Sequence, residues 1–315
     1  MIHQNIENIN GIFNVNKPTG ITSTEVVRRF KRLTGAKRVG HAGTLDPLAS
    51  GVLPICVGKA TRVIEYFIDQ DRSYRGSVHL GVQTDTFDKE GRIIGEDTRY
   101  KNPTEREIIE GLSVFVGDIK QIPPMYSAIK INGDRLYDLA RKGIKLDLQS
   151  RLVHVFDISL LNWNPPIVDL KVNCGKGFYM RSLANDLGKE LGMGAYLEEL
   201  IRLKHGSFVI EESVDFGCVE EIFKQGSWSD IMQDVDSAID HIPKILVDTK
   251  FEEHILNGRP LPVCSGVPSG KSKEIRRLYS VVGRFIGIME FNDMIGAWCP
   301  KKVINVNVDR KLHAK

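Results

Sequence analysis

The residues most suited to chemistry lie in His41-Ala-Gly-Thr-Leu-Asp46-Pro47, inside the Gly/Pro-punctuated segment 37–62. Pro47 pushes Asp46 toward an extended backbone. A short acid on such a loop, surrounded by bases, is suited to act as a nucleophile. It is equally suited to cap a helix that begins at Pro47, although Gly51 and Pro54 leave such a helix barely one turn. A second candidate, Arg181, follows Cys174-Gly-Lys-Gly-Phe-Tyr-Met and sits beside an apolar helical stripe. An arginine there is either a helix-surface residue or the partner of a carboxylate. In the second case it lowers an aspartate's pKa by about 1–3 units and keeps a nucleophilic carboxylate ionised. Tyr74 and Tyr179 are core aromatics or stacking faces for a base.

Other chemistries fail on spacing. Gly266-Val-Pro-Ser-Gly270-Lys271-Ser272 is one residue short of a phosphate-binding P-loop and lacks a lead-in strand. The acidic Thr-Asp-Thr-Phe-Asp-Lys-Glu-Gly stretch (84–91) does not match a calcium loop. The eight histidines form no His-Glu-x-x-His, and the five cysteines form no Cys-x-x-Cys. No metal site and no disulfide framework is expected, and the thiols read as reduced and at least half-buried.

The elements that must hold these residues can be read from periodicity. Residues 11–16 alternate as a strand, and Lys17-Pro-Thr-Gly20 is turn chemistry. Thr22 and Glu25 fit a capping box, with Val26, Val27, Phe30 and Leu33 as a helical stripe ended by Gly35. Within 37–62 only Val-Leu-Pro-Ile-Cys-Val-Gly suggests a short buried strand. Tyr74 to Leu80 alternate as a strand, with Arg92 to Ile94 expected to pair back on it. Residues 104–116 and the stripe Met180, Leu183, Ala184, Leu187 and Leu191 predict helices, as do Leu136, Leu139 and Ala140. Residues 152–160 and 168–174 predict two strands joined across Pro165-Pro166. Leu261–Val263, 278–282 and 285–291 have the texture of a small β-barrel. The irregular order of elements predicts a mixed α+β fold.

At about 100–200 residues per domain, 315 residues suggest two domains. The formal net charge of +3 hides an asymmetry. Residues 16–62 carry +7, and residues 211–240, read as solvated surface, carry −8. There is no apolar run of membrane-spanning length, and Met-Ile-His-Gln-Asn-Ile-Glu-Asn-Ile-Asn-Gly is not a signal peptide. A cytoplasmic protein without a membrane partner is expected.

Several ordered blocks resemble the bacterial TruB family of tRNA pseudouridine-55 synthases. They are Lys17-Pro-Thr-Gly-Ile-Thr-Ser23, GHAGTLDPLASGVLPICVGKATR (40–62), LGVQTDTFDKEG (80–91), QIPPMYSAIKINGDRLYDLARKG (121–143) and CGKGFYMRSLANDLGKELGMGAYLEELIRLKHGSF (174–208). The resemblance implies a pseudouridine synthase fold with a mixed central sheet and flanking helices over 1–240. It also implies a small β-barrel-like, PUA-like RNA-binding domain over 241–315. Asp46 matches the catalytic aspartate and Arg181 the arginine that pairs with it. Tyr74 matches a base-stacking tyrosine of the catalytic centre. Tyr179 and Leu200 match residues lining the uridine pocket, and His41 a histidine near the flipped base. Lys17 and Pro18 match a block that supports the site loop. The implied partner is the T-arm of tRNA, the implied state a monomer, and no cofactor is implied. Two departures stand out. Cys-Gly-Lys-Gly-Phe-Tyr-Met-Arg replaces the more usual Cys-Ser-Lys-Gly-Thr-Tyr-Ile-Arg, and Ile201-Arg202 replaces Arg-Arg, which weakens a hold on RNA. The alternatives are an RNA-guided synthase, a noncatalytic tRNA-folding chaperone and a P-loop phosphotransferase.

Overall fold

The computed structural model describes residues 9–97, 102–126, 130–131, 134–136, 148–264 and 266–304. The expected helix over Leu136, Leu139 and Ala140 falls, beyond Leu136, outside the described residues.

Strand β1 (Gly11–Lys17) ends in the Pro18–Gly20 turn and feeds α1 (Ser23–Thr34). Thr22 and Glu25 form the reciprocal capping box, and Gly35 closes the helix in the left-handed region. Two strands then emerge from the segment read as irregular: β2 (Val39–His41) and β3 (Ala49–Val57). The longer β3 contains Pro54, a residue that usually marks an edge strand. Here β3 pairs with β1 along residues 51–57, while its other side changes partner. It meets β12 (Ala195–His205) at 49–51 and β2 at 55–57. Pro54 lies at that changeover, where no ladder bond is required of its nitrogen.

After the short α2 (Ile64–Phe67) come β4 (Arg72–Leu80) and a hairpin of β5 (Val82–Thr84) and β6 (Ile93–Glu96). The expected pairing of 92–94 with β4 is thus corrected: β6 pairs with β5. Gly81 breaks the strand, with φ 89, and β4 is already paired on both sides, by β11 and β12. Then follow α3 (Glu105–Ser113), β7 (Gly117–Gln121), the small pair β8 (Lys130–Ile131) and β9 (Asp134–Arg135), β10 (Arg151–Asn164), β11 (Ile167–Cys174) and α4 (Met180–Glu190). Strand β12 leads into β13 (Phe208–Val209), β14 (Val214–Asp215), α5 (Phe216–Lys224) and β15 (Met232–Gln233).

The main sheet runs β14-β1-β3-β12-β4-β11-β10-β7, with parallel and antiparallel pairs mixed. Apolar side chains of α1, α3, α4 and α5 pack on one face, against Phe13, Leu53, Val78, Leu170 and Leu197. Strands β1 and β3 are buried on both faces. Ile12, Val52 and Cys56 point away from that core into a second one, which explains the near-continuous apolar run of β3.

The second sheet contains β16 (Lys244–Val247), β17 (Leu261–Pro262), β18 (Ile275–Ser280), β19 (Phe285–Asn292) and β20 (Ala297–Val303). Its order is β16-β18-β19-β20-β17, and Ile255 of α6 (Thr249–Leu256) shares its core. This sheet is not loosely tethered. Phe285, Ile288 and Ile304 share a core with Phe67, Phe208 and Ile239, and Lys302 Nζ lies 2.7 Å from Glu65 Oε1. The P-loop look-alike is a loop in which Gly270 packs against the rings of Trp298 and Phe291. Of the thiols, Cys56 and Cys174 are buried, but Cys218 and Cys264 are exposed, contrary to the sequence reading.

At Gly51, φ is 102°, and a Cβ would stand 2.2 Å from the Arg202 carbonyl oxygen. Gly51→Ala is therefore expected to lose at least about 2 kcal/mol of stability. Gly20→Ala, at φ 84° in open space, should lose only about 1 kcal/mol. Chemical denaturation compares the two, and equal losses would contradict the close β3–β12 approach.

Candidate active site

Asp46 and Arg181, 135 positions apart in sequence, meet in space. Arg181 Nη2 lies 2.9 Å from Asp46 Oδ2. The side chain of Arg181 is 5% exposed and that of Asp46 is 35% exposed, so the cation is buried and the carboxylate faces the opening. Of the two readings of Arg181, the partner of a carboxylate is the one found, and no helix begins at Pro47 for Asp46 to cap.

Each partner is fixed by backbone bonds. Gln121, at the end of β7, accepts from Tyr179 N through Oε1 (2.8 Å) and donates from Nε2 to Tyr179 O (3.0 Å). Ser182 Oγ donates to Ile122 O at 2.7 Å. The first turn of α4, which carries Arg181, is thus clamped where no side-chain cap exists. On the other side, Ser23 Oγ accepts from Leu45 N and donates to Leu45 O, both at 2.9 Å. Gly20 N donates to Pro47 O at 2.8 Å. Leu45 and Leu48, buried on either side of Asp46, anchor the loop in the core.

Two residues that the sequence reading did not select complete the arrangement. Asp88, with its side chain 5% exposed, accepts from Arg181 Nη1 at 3.3 Å. Its Oδ1 accepts from Thr86 Oγ1 (2.5 Å) and Glu90 N (3.1 Å). It belongs to the acidic stretch rejected as a calcium loop, and nothing in its spacing marks one of that stretch's three acids as buried. Arg202 is fully buried in β12 and donates from Nε to Val52 O (2.7 Å) and from Nη2 to Gly43 O (3.0 Å). It spans both ends of the Asp46 loop. The sequence reading treated Arg202 as the remnant of an RNA-contacting pair; the structure makes it an internal brace. Alternation about an unassigned strand, 195–205, was the available signal.

Lys17 is also fully buried, and its Nζ donates to the carbonyls of Pro18 and Ile21, each at 2.8 Å. It locks the turn between β1 and α1, and burial brings its pKa down to about 8. Pro18 is exposed. Tyr74 is buried on β4, on the rung opposite Arg202, and Leu200 lies between Ala49 and Gly76. His41 is half-buried in β2 opposite Ile55. Burial and then Arg202 lower its pKa, so the imidazole is neutral at pH 7.

The ionisation of Asp46 departs from the sequence expectation. Burial pushes its carboxyl up and the Asp88 carboxylate adds to this, while Arg181 and Lys17 pull it down. The net direction is upward. Desolvation outweighs the arginine, which limits a rise it cannot reverse.

A mixed sheet with this helical cover and a five-stranded PUA-like half-barrel is the fold of pseudouridine synthases. The structure matches the chain in a crystal structure of a Cbf5-Nop10-Gar1 complex with a TM-score of 0.74 and 25% identity, over 97% of this chain and 87% of that one. It matches a chain of an H/ACA ribonucleoprotein bound to a substrate RNA containing 2'-deoxyuridine with a TM-score of 0.73 and 24% identity, over 94% and 85%. Residues 31–180 match the N-terminal domain of the TruB family pseudouridylate synthases. The chain is 42% identical to the tRNA pseudouridine synthase B of Clostridium tetani, over 89% of this chain and 95% of the relative. It is 40% identical to that of Dehalococcoides mccartyi strain CBDB1, over 94% and 96%. The chain belongs to the TruB family.

If Asp46 acts as an anion, activity is present above its pKa and lost as pH falls through it. The acid limb of the single-turnover rate is therefore expected above the ordinary aspartate value of about 3.9. Asp88→Asn removes a charge that raises Asp46 and should move that limb down. Arg181→Gln removes the charge that lowers it and should move the limb up. Shifts in the opposite directions would refute the shared-arginine arrangement. Arg202→Gln should cut turnover by at least about 100-fold through misplacement of the loop, with Arg181 and Asp46 intact.

Proposed function

We propose that this chain isomerises uridine 55 in the T-arm of tRNA to pseudouridine. The observation that carries this is the partly exposed Asp46 carboxylate held on the buried Arg181 guanidinium. The tRNA enzymes named among its relatives, at about 40% identity over most of both chains, support tRNA as the substrate.

The target nucleotide must leave its stack, at a cost of a few kcal/mol, to reach Asp46. Tyr74 supplies a ring for the flipped base, and Tyr179 and Leu200 supply pocket walls. The Asp46 carboxylate attacks the nucleotide, at ribose or base, and the N1–C1' bond breaks. The uracil turns, C5 bonds to C1', and expulsion of Asp46 regenerates the carboxylate. The C5 hydrogen leaves as a proton and N1 gains one, so the product is an isomer. Arg181, held in place by Asp88 and by the Tyr126 carbonyl, supplies fixed positive charge beside the reacting carboxylate. Lys17 and Pro18 support the loop. Residues 1–240 form the catalytic unit and 241–315 a PUA-like unit that grips RNA. The enzyme works as a cytoplasmic monomer.

Unmodified tRNA carrying tritium at uridine C5 tests this reading. Wild type should release one label per tRNA from position 55. Asp46→Asn should release none while still binding tRNA. Arg181→Lys should lose at least about 100-fold in turnover, since a point charge cannot span both carboxylates. Wild-type binding without release would favour a tRNA-folding chaperone instead.

A further inference from the structure

The basic segment 16–62 is only partly spent on the site. Lys17 is buried, and Arg62 donates to the Val303 carbonyl at the junction of the two sheets. Arg29 on α1 pairs with Glu220 and stacks over the Phe216 ring at 5.7 Å. Three cations of α1 remain: Arg28, Lys31 and Arg32. All are exposed, and among the described residues none makes an ion pair. Their i, i+3, i+4 spacing places them on one helix face, where like charges at i, i+4 cost about 0.2–0.5 kcal/mol. They line a groove of about 550 Å3 with Ile21, Glu25, Arg29 and Phe216. The Glu25 carboxylate is already committed to Thr22 N (2.7 Å) and Thr22 Oγ1 (2.8 Å). With Arg29 matched by Glu220, the three cations Arg28, Lys31 and Arg32 outnumber Glu25, so the groove is cationic on balance, with Ile21 and Phe216 in its lining.

Its position gives this charge a use. The start of α1 is bonded directly to the Asp46 loop, through Ser23 to Leu45 and through Gly20 to Pro47. Arg28 to Arg32 follow at about 8–14 Å along the helix axis from Ser23. A polyanion whose reacting unit sits at Asp46 can extend along this face without leaving the protein. We propose that the α1 groove is a docking site for the sugar-phosphate backbone of the tRNA substrate, separate from the pocket for the target nucleotide. Arg28, Lys31 and Arg32 are its phosphate-binding residues. The site rests on the tRNA reading above. Continuity with the catalytic loop favours the substrate's own backbone over an acidic protein.

The test is binding of unmodified tRNA over a salt series, alongside the tritium assay. The triple variant R28A/K31A/R32A should raise Kd at least about tenfold near 0.1 M salt. It should also flatten the slope of log K against log salt by about 2–3, since each phosphate left without its cation removes about 0.7–0.9. The loss should fall on KM rather than kcat. R28K/R32K, which keeps the charges, should retain most of the affinity, and Lys224→Ala, on α5, should bind as wild type. If the triple variant does not fold, each single alanine variant should flatten the slope by about 0.7–0.9. Folded variants with the wild-type Kd and salt slope would overturn the proposal and leave the groove to another partner. A wild type that binds tRNA but releases no tritium would instead overturn the isomerase reading, while the salt slopes would still decide the groove.

Discussion

A single buried guanidinium organises this molecule. Arg181 reaches Asp46 with one nitrogen and Asp88 with the other, and the three residues come from segments far apart in the chain. A buried charge that loses a partner costs about 3–5 kcal/mol. The loop before β3, the hairpin after β4 and the first turn of α4 are thus held in register by a charge that needs all of them. That requirement explains why the N-terminus of α4 is clamped by Gln121 instead of being capped by its own residue. A cap fixes a helix end, whereas a clamp from β7 fixes that end relative to the sheet.

The Asp46 loop depends on cations used in an unusual way. Lys17 and Arg202 are fully buried, and both donate to backbone carbonyls. Carbonyl acceptors satisfy the donors without neutralising the charge, so the loop is braced while the surrounding field stays positive. Of these two cations Lys17, together with Arg181, opposes the cost of burying the Asp46 carboxylate. The outcome is a balance in which burial still wins, so the Asp46 carboxyl has a raised pKa that its neighbours moderate. A carboxyl poised in this way stays closer to its neutral form than one paired in open solvent, and its ionisation responds to each surrounding charge.

The second sheet is joined to the first by a shared apolar core and not by a linker alone. Phe285 and Ile288 pack with Phe67 and Ile239, and Arg277 donates to the carbonyls of Asp240 and Ile242 at the chain junction. The acidic stretch 211–240, read from sequence as solvated surface, takes part in this. Asp236 meets the Tyr279 hydroxyl of the second sheet, and Glu220 meets Arg29 of α1. Its charge is partly spent inside the protein, while that of α1 faces outward.

Much of the local structure was legible in the sequence, because local structure obeys local rules. The Thr22–Glu25 box, the Gly35 stop, the alternation of β4 and β11 and the stripe of α4 each follow from residues within a few positions. Asp46 and Arg181 could be picked out as residue types in unusual settings, and the family blocks around them fixed their order. The sequence did not show that 195–205 is a central strand, that β6 pairs with β5, or that Arg202 points inward. Those outcomes depend on partners: β12 exists as the strand between β3 and β4, and its neighbours are more than a hundred residues away. Asp88 was one acid among three in its stretch until folding buried it against Arg181. Which residues could carry charge was written in the chain. Which charges lost their water, and so which of them act on Asp46, was decided only by tertiary packing, because desolvation is a property of the surroundings and not of the residue.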